Sequence, residues 1–152
     1  VLLLFIYIFG FYGLKQKVIY RQTPSIATEK KPISFLSADA RKSIQKVLLE
    51  YFENQRPYLN PDLSMTLLSE NLSIPKHQIA EVLNGTIGKN FFLFVNEYRV
   101  KAVKKMLSNP SILYSIEAIG YECGFNSKST FFSVFKKITG LTPTQYKETI
   151  QN

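Results

Sequence analysis

One helical unit is written twice in this chain, at an offset of 52 residues. Leu67 falls on Ile119, Ile79 on Phe131, Val82 on Val134, Leu83 on Phe135, Gly88 on Gly140 and Phe94 on Tyr146. The matched positions are apolar or glycine and keep helical spacing within each copy, as expected of a structural module used twice. Each copy predicts a first helix (64–72; 115–123) and a second helix (76–84; 127–137). The turns between them are short, Ser73-Ile74-Pro75 and Gly124-Phe125-Asn126. Two helices joined so tightly must cross steeply, which is the helix-turn-helix arrangement.

The second copy carries the clearer local signals. Ser115 is placed to cap its first helix, with Ile116 and Ile119 on one face. Gly120 lets the two helices approach, and Gly124 suits the positive φ of a helix stop. Phe125 is expected to fill the corner, and Asn126 or Ser127 to cap the second helix. With Phe131, Phe135 and Ile138 turned inward, Lys128, Ser129, Thr130, Phe132, Ser133, Lys136 and Lys137 face out. From Cys123 to Gly140 there are three lysines and no acid. A polar, basic helix face of this kind suits a phosphate backbone and base edges. In the first copy the outward positions are Lys76, His77, Gln78, Ala80 and Glu81. Gln pairs bidentately with adenine and Glu accepts from cytosine N4, while Glu81 also repels phosphate.

Between the copies, residues 90–107 carry an apolar stripe of Phe91, Phe94, Val95, Tyr98, Ala102, Met106 and Leu107, with Lys101, Lys104 and Lys105 off it. A helix of that length spans about 27 Å. It is expected to hold the two second helices near the roughly 34 Å that separates successive major grooves on one side of B-DNA.

Upstream, Ile44, Val47, Leu48, Tyr51 and Phe52 recur at helical spacing in an amphipathic helix that begins at Ser37 and ends at Arg56-Pro57. Residues 22–36 read as a linker broken by Pro24 and Pro32. Residues 1–14 carry no charge, and Lys15, Lys17 and Arg21 precede the first acid, Glu29. As a helix the apolar run is about 21 Å long, shorter than the bilayer core. Because the chain opens on valine and the basic flank follows at once, the expectation is a truncated transmembrane helix over 1–20 with the remainder on the cytoplasmic side. A buried or amphipathic terminal helix is the plainer alternative.

Composition narrows the chemistry. The net charge is +8 and the pI near 9.5, which points to an anionic partner, nucleic acid or a membrane surface. One cysteine excludes an intrachain disulfide framework, and one cysteine with one histidine excludes the usual zinc clusters. No GxGxxG or GxxxxGK[ST] loop is present, and nothing near His77 resembles a nucleophile elbow. No catalytic residue, metal or cofactor is expected. Cys123 reads as a small buried filler, and His77 as an exposed residue at the start of a recognition helix.

The stretch 115–147, SIEAIGYECGFNSKSTFFSVFKKITGLTPTQYK, resembles the signature of the AraC/XylS transcription regulators. The match runs through Ile116, Ile119, Gly124, Phe125, Ser129, Phe131, Phe135, Lys136, Gly140, Thr142, Pro143 and Tyr146. Gly88-Lys89-Asn90-Phe91 and Asn96-Glu97-Tyr98-Arg99 are similar to the upstream half of that family's domain. This chain departs from the pattern at Gly120, where the family usually has Ala, at Cys123, where Val is common, and at Glu81, where a basic residue is frequent. The resemblance implies two helix-turn-helix units joined by a long helix, each placing one helix in the major groove. The apolar start is similar to membrane-anchored members of the family, which implies a place at the bacterial inner membrane with the DNA-binding part cytoplasmic.

The expectation is therefore an all-α chain: 1–20 a truncated transmembrane helix with a basic flank, 21–57 a linker and amphipathic helix, and 58–152 a double helix-turn-helix domain. Double-stranded DNA is its expected partner, through Lys76, His77, Gln78, Ala80 and Glu81 of one unit and Asn126, Ser127, Lys128, Ser129, Thr130, Ser133, Lys136 and Lys137 of the other. The membrane, RNA polymerase and an unidentified effector complete the candidate partners. The rival expectation is a non-DNA interaction module that docks protein, or anionic lipid, on the same scaffold.

Overall fold

Ser37 Oγ accepts the Ala40 amide at 3.1 Å and opens α1 (Ala38–Gln55), the first element among the residues that the computed structural model describes, 36–151. Pro57 forbids the helical conformation at the preceding residue, and Arg56 turns to φ 50°. A single 3-10 turn, Pro57–Leu59, follows. Next come α2 (Met65–Leu72), α3 (Lys76–Glu81), a π-helical turn (Val82–Ile87) and the long α4 (Phe91–Leu107). The second unit comprises α5 (Ile116–Glu122), α6 (Lys128–Thr139) and α7 (Pro143–Gln151). The described residues hold no strand, in accord with the all-α expectation. The apolar segment expected to cross a membrane lies outside the described residues. Among the described ones, no helix is long and apolar enough to do so.

The caps correct the register of the repeat. Ser64 and Ser115 each accept an amide from three residues on, Leu67 N at 3.2 Å and Ala118 N at 3.1 Å. Ser73 (φ 53°) and Gly124 (φ 88°) each end their first helix in the left-handed region. Up to the turn the copies therefore correspond at an offset of 51, and Leu68, fully buried, is the partner of Ile119. The second turn then gains Asn126, and the offset becomes 52. Both turns use the same closing bonds: Ile74 N to Ser69 O at 3.2 Å and Phe125 N to Gly120 O at 3.1 Å, with Ser73 N to Glu70 O and Gly124 N to Tyr121 O inside them. This double pattern is a Schellman motif, which satisfies the last carbonyls of the helix.

Two cores form, and α4 belongs to both. Phe94 and Val95, from its first half, pack with Leu48 and Phe52 of α1, Leu68 of α2, Ile79 of α3 and Leu83. Val100, Val103 and Leu107, from its second half, pack with Ile119, Cys123, Phe125, Phe131, Val134 and Phe135. Helix α1 is therefore a structural part of the first unit. Phe52 sits 4.7 Å from Phe94 and 5.0 Å from Tyr98, ring centre to ring centre. Against the second core, α7 is held by a capping box (Gln145 N to Thr142 Oγ1 at 3.2 Å, Thr142 N to Gln145 Oε1 at 3.0 Å) and by Tyr146 against Phe135.

The join between the units is polar. Arg99 of α4 donates from Nε to the Tyr58 carbonyl at 2.8 Å and from Nη2 to the Asn60 carbonyl at 2.9 Å. Its guanidinium also stands 5.7 Å from the centre of the Phe125 ring. Gly124 abuts the same turn so closely that a Cβ there would lie 2.3 Å from the Tyr58 carbonyl oxygen. The 57–60 turn after α1 is thus fastened both to the connecting helix and to the corner of the second helix-turn-helix.

Candidate nucleic-acid interface

Helix α6 separates its faces sharply. Phe131, Val134 and Phe135 are buried, while Lys128, Ser129, Thr130, Ser133, Lys136 and Lys137 are exposed, as is Asn126 ahead of it. Ser127 is the cap: its Oγ accepts the Thr130 amide at 3.2 Å, and its hydroxyl reaches Thr130 Oγ1 at 3.0 Å and Ser129 Oγ at 3.2 Å. The first turn of the helix thus presents a linked set of hydroxyls. Phe132, expected to face out, is half-buried against the second core and edge-on to Phe131. Its ring is too large to leave in water when the neighbouring aromatic offers an edge. The close approach at Gly120 is real, since a Cβ there would meet the Phe131 ring at 2.5 Å.

The corresponding helix of the first unit is less basic and less exposed. Lys76 and His77 are open to solvent, whereas Gln78, Ala80 and Glu81 are half-buried. Past Glu81 the backbone widens into the π-helical turn, which leaves Asn84, Gly85 and Thr86 exposed at its end. The two sets of expected contact residues lie on separate units, at separate cores.

One residue that the sequence reading did not single out shapes this surface. Glu117, in the first turn of α5, pairs with Lys128 at the start of α6 (Nζ to Oε1, 2.6 Å). The Lys128 ammonium also lies 5.6 Å from the centre of the Phe132 ring. Hydrogen bonding to Lys128 pulls the Glu117 carboxyl below its usual range, and the carboxylate in turn raises the Lys128 ammonium. An acid in a first helical turn is common for dipole reasons alone, so nothing in the spacing revealed this partner. Arg99, read in the sequence only as part of the Asn96-Glu97-Tyr98-Arg99 match, lies instead at the join between the units, where burial lowers its pKa. Burial also pushes the Cys123 thiol up to about 12, in keeping with a filler in the core. Among the described residues no group of His, Cys, Asp or Glu could hold a metal ion.

Two steep helix pairs on a shared connecting helix, each with a polar second helix, define a helix-turn-helix protein of the double type. A family profile described as a helix-turn-helix domain matches residues 68–149, and the chain belongs to that family, of the AraC type. Family and fold are those of DNA-binding transcription regulators. The chain is similar to an uncharacterized HTH-type transcriptional regulator of Pseudoalteromonas carrageenovora, 28% identical over 109 residues, or 72% of this chain and 61% of that protein. It thus spans about three-fifths of that relative's length. The fold is also that of the C-terminal domain of AraT, a response regulator from Geobacillus stearothermophilus (23% identity, TM-score 0.58, 76% of this chain and 88% of that one). An AraC-type transcriptional regulator from Chromobacterium violaceum shares it as well (19% identity, TM-score 0.58, 74% and 95%).

Proposed function

We propose that the chain binds specific duplex sites by placing α3 and α6 in successive major grooves. The observation that carries this reading is the exposed, acid-free face of α6 set against its wholly apolar inner face. Lys136 and Lys137 supply phosphate contacts, and Lys128, Ser129, Thr130, Ser133 and Asn126 approach base edges, with Ser127 holding the helix start. The first unit contributes through Lys76, His77 and Gln78, with Ala80 and Glu81 at its margin. With three lysines on one face, the second unit carries the larger share of the salt-dependent affinity.

In the same reading the uncharged residues 1–14 and the basic Lys15, Lys17 and Arg21 tether the chain at the bacterial inner membrane, with the DNA-binding part on the cytoplasmic side. RNA polymerase and an effector would then meet the DNA-bound protein.

The test is an unbiased selection of duplex sites by the 152-residue chain, followed by salt-titrated binding to the selected site. Two half-sites one helical turn apart are expected, with K136A and K137A each weakening binding to all sequences and lowering the salt slope by about 1. Failure to enrich any site, or slopes unchanged in both variants, would overturn the assignment. Recovery of the chain in the soluble fraction after cell breakage would remove the tether while leaving the DNA reading intact.

A further inference from the structure

The Glu117–Lys128 pair bridges the two helices of the second unit at the mouth of its turn. Both side chains keep about half of their surface in contact with solvent, 40% for Glu117 and 61% for Lys128. An exposed pair of this kind adds little to stability. What it does is fix a long, flexible lysine head, which is held by the carboxylate on one side and by the Phe132 ring at 5.6 Å on another. The helix start that carries Glu117 is capped by Ser115, whose Oγ accepts the Ala118 amide at 3.1 Å. The result is a cation and an anion side by side at 2.6 Å, preorganised at the start of the helix that approaches base edges.

From that arrangement we infer that Glu117 and Lys128 read one G·C base pair together, as a donor–acceptor couplet; this inference rests on the DNA-binding reading above. In the major groove a G·C pair shows two acceptors, N7 and O6 of guanine, followed by the N4–H donor of cytosine. O6 and N4 are hydrogen-bonded to each other in the base pair, so they lie about 2.9 Å apart. That spacing matches the ion pair. Lys128 Nζ spans N7 and O6, a Glu117 carboxylate oxygen accepts from N4–H, and the salt bridge between them is kept. The nearest mimic is a T·A pair, which offers O4 and then the adenine N6–H in the same order. It places the thymine methyl where the lysine needs N7, and the adenine N7 lone pair beside the carboxylate. Glu117 also sets a negative charge next to the phosphates, which lowers binding to DNA that lacks the matching pair.

The experiment is the same site selection, with the 152-residue chain as wild type, E117Q, K128A and the exchange E117K/K128E. Wild type is expected to select a G·C pair at one position. Both single variants lose that preference there, discrimination against T·A falling by roughly five- to hundredfold, with other positions unchanged. E117Q also binds random duplex more tightly than wild type, and the exchange variant inverts the preference to C·G. A wild-type chain that enriches no site would sink the DNA reading itself. A wild-type site that E117Q leaves intact, or weakens evenly at every position, would overturn the couplet alone.

Discussion

Arg99 Nε meets the carbonyl of Tyr58, 41 residues earlier in the chain, at 2.8 Å, and this bond ties the connecting helix to the turn that follows α1. With the second bond to Asn60 and the Phe125 ring beneath the guanidinium, one side chain of α4 reaches two other segments, the 57–60 turn and the corner of the second unit. Charged hydrogen bonds in a half-buried site are worth more than neutral ones, and removal leaves two carbonyls without these donors. R99A is expected to cost about 2–3 kcal/mol in denaturant unfolding, and R99K to recover only a minor part, because an ammonium cannot reproduce the two-pronged geometry.

Gly124 should be the least replaceable of the described glycines with positive φ. Its φ of 88° already strains any side chain, and the Tyr58 carbonyl oxygen lies 2.3 Å from where a Cβ would be. Gly88 and Gly140 share the conformation but have open space around them. G88A and G140A are expected to lose about 1–2 kcal/mol from backbone strain, and G124A clearly more, in parallel urea titrations. Equal losses at the three positions would show that the contact with Tyr58 has no energetic weight.

Helix α1 should prove inseparable from the first unit. Phe52 is fully buried among Tyr58, Phe94 and Tyr98. F52A is expected to destabilise the protein by about 3–5 kcal/mol. A fragment that starts at residue 58 should melt well below one that starts ahead of Ser37, since it lacks both Leu48 and Phe52. Matching melting curves by circular dichroism would contradict this.

The Cys123 thiol, raised from an ordinary 9.0 to about 12 by burial, should stay protonated and unreactive in the native chain at pH 8. One thiol per chain should react with a thiol reagent after unfolding. The linked stability effect has a definite sign. The folded state holds the proton more tightly, so stability is constant below about pH 9 and falls as pH rises from there towards 12. Fast native labelling at pH 8 would place the thiol outside the core.

The Glu117–Lys128 pair sets its own pH window. The Glu117 carboxyl is held below its ordinary 4.5, so the pair persists above that value and is lost as pH falls through the lowered one. The Lys128 ammonium is held above its ordinary 10.5, so the pair persists below that value and is lost only as pH rises through the raised one. Discrimination by the second unit should therefore stay level between about pH 5 and 9. A step within that range, measured by competition between duplexes, would point to another titrating group.

Much of the fold was legible in the residues because its signals are local. Ser115 and Ser127 announce their helices by capping chemistry, Gly124 announces a helix stop by the backbone angle that it permits, and the spacing of Phe131 and Phe135 marks the α6 core. The match of Leu67 to Ile119 missed by one residue. An offset read across a turn cannot show where the extra residue sits; the capping serines set an offset of 51 up to the turn, which makes Asn126 the extra residue. Phe132 has an outward helical position by spacing, and the structure leaves its ring half-buried against the edge of Phe131 and the adjoining core, which the spacing alone left open.

The sequence by itself determined the all-helical class, the two steep corners, the long helix between them and the basic outer face of α6, since each follows from periodicity, caps and charge within a few residues. Only the tertiary structure decided that α1 completes the first core, that Arg99 fastens the 57–60 turn to the second unit, and that Glu117 faces Lys128. Those contacts join residues far apart in sequence or on different helices. Their partners are chosen by how the helices cross, which no local pattern encodes.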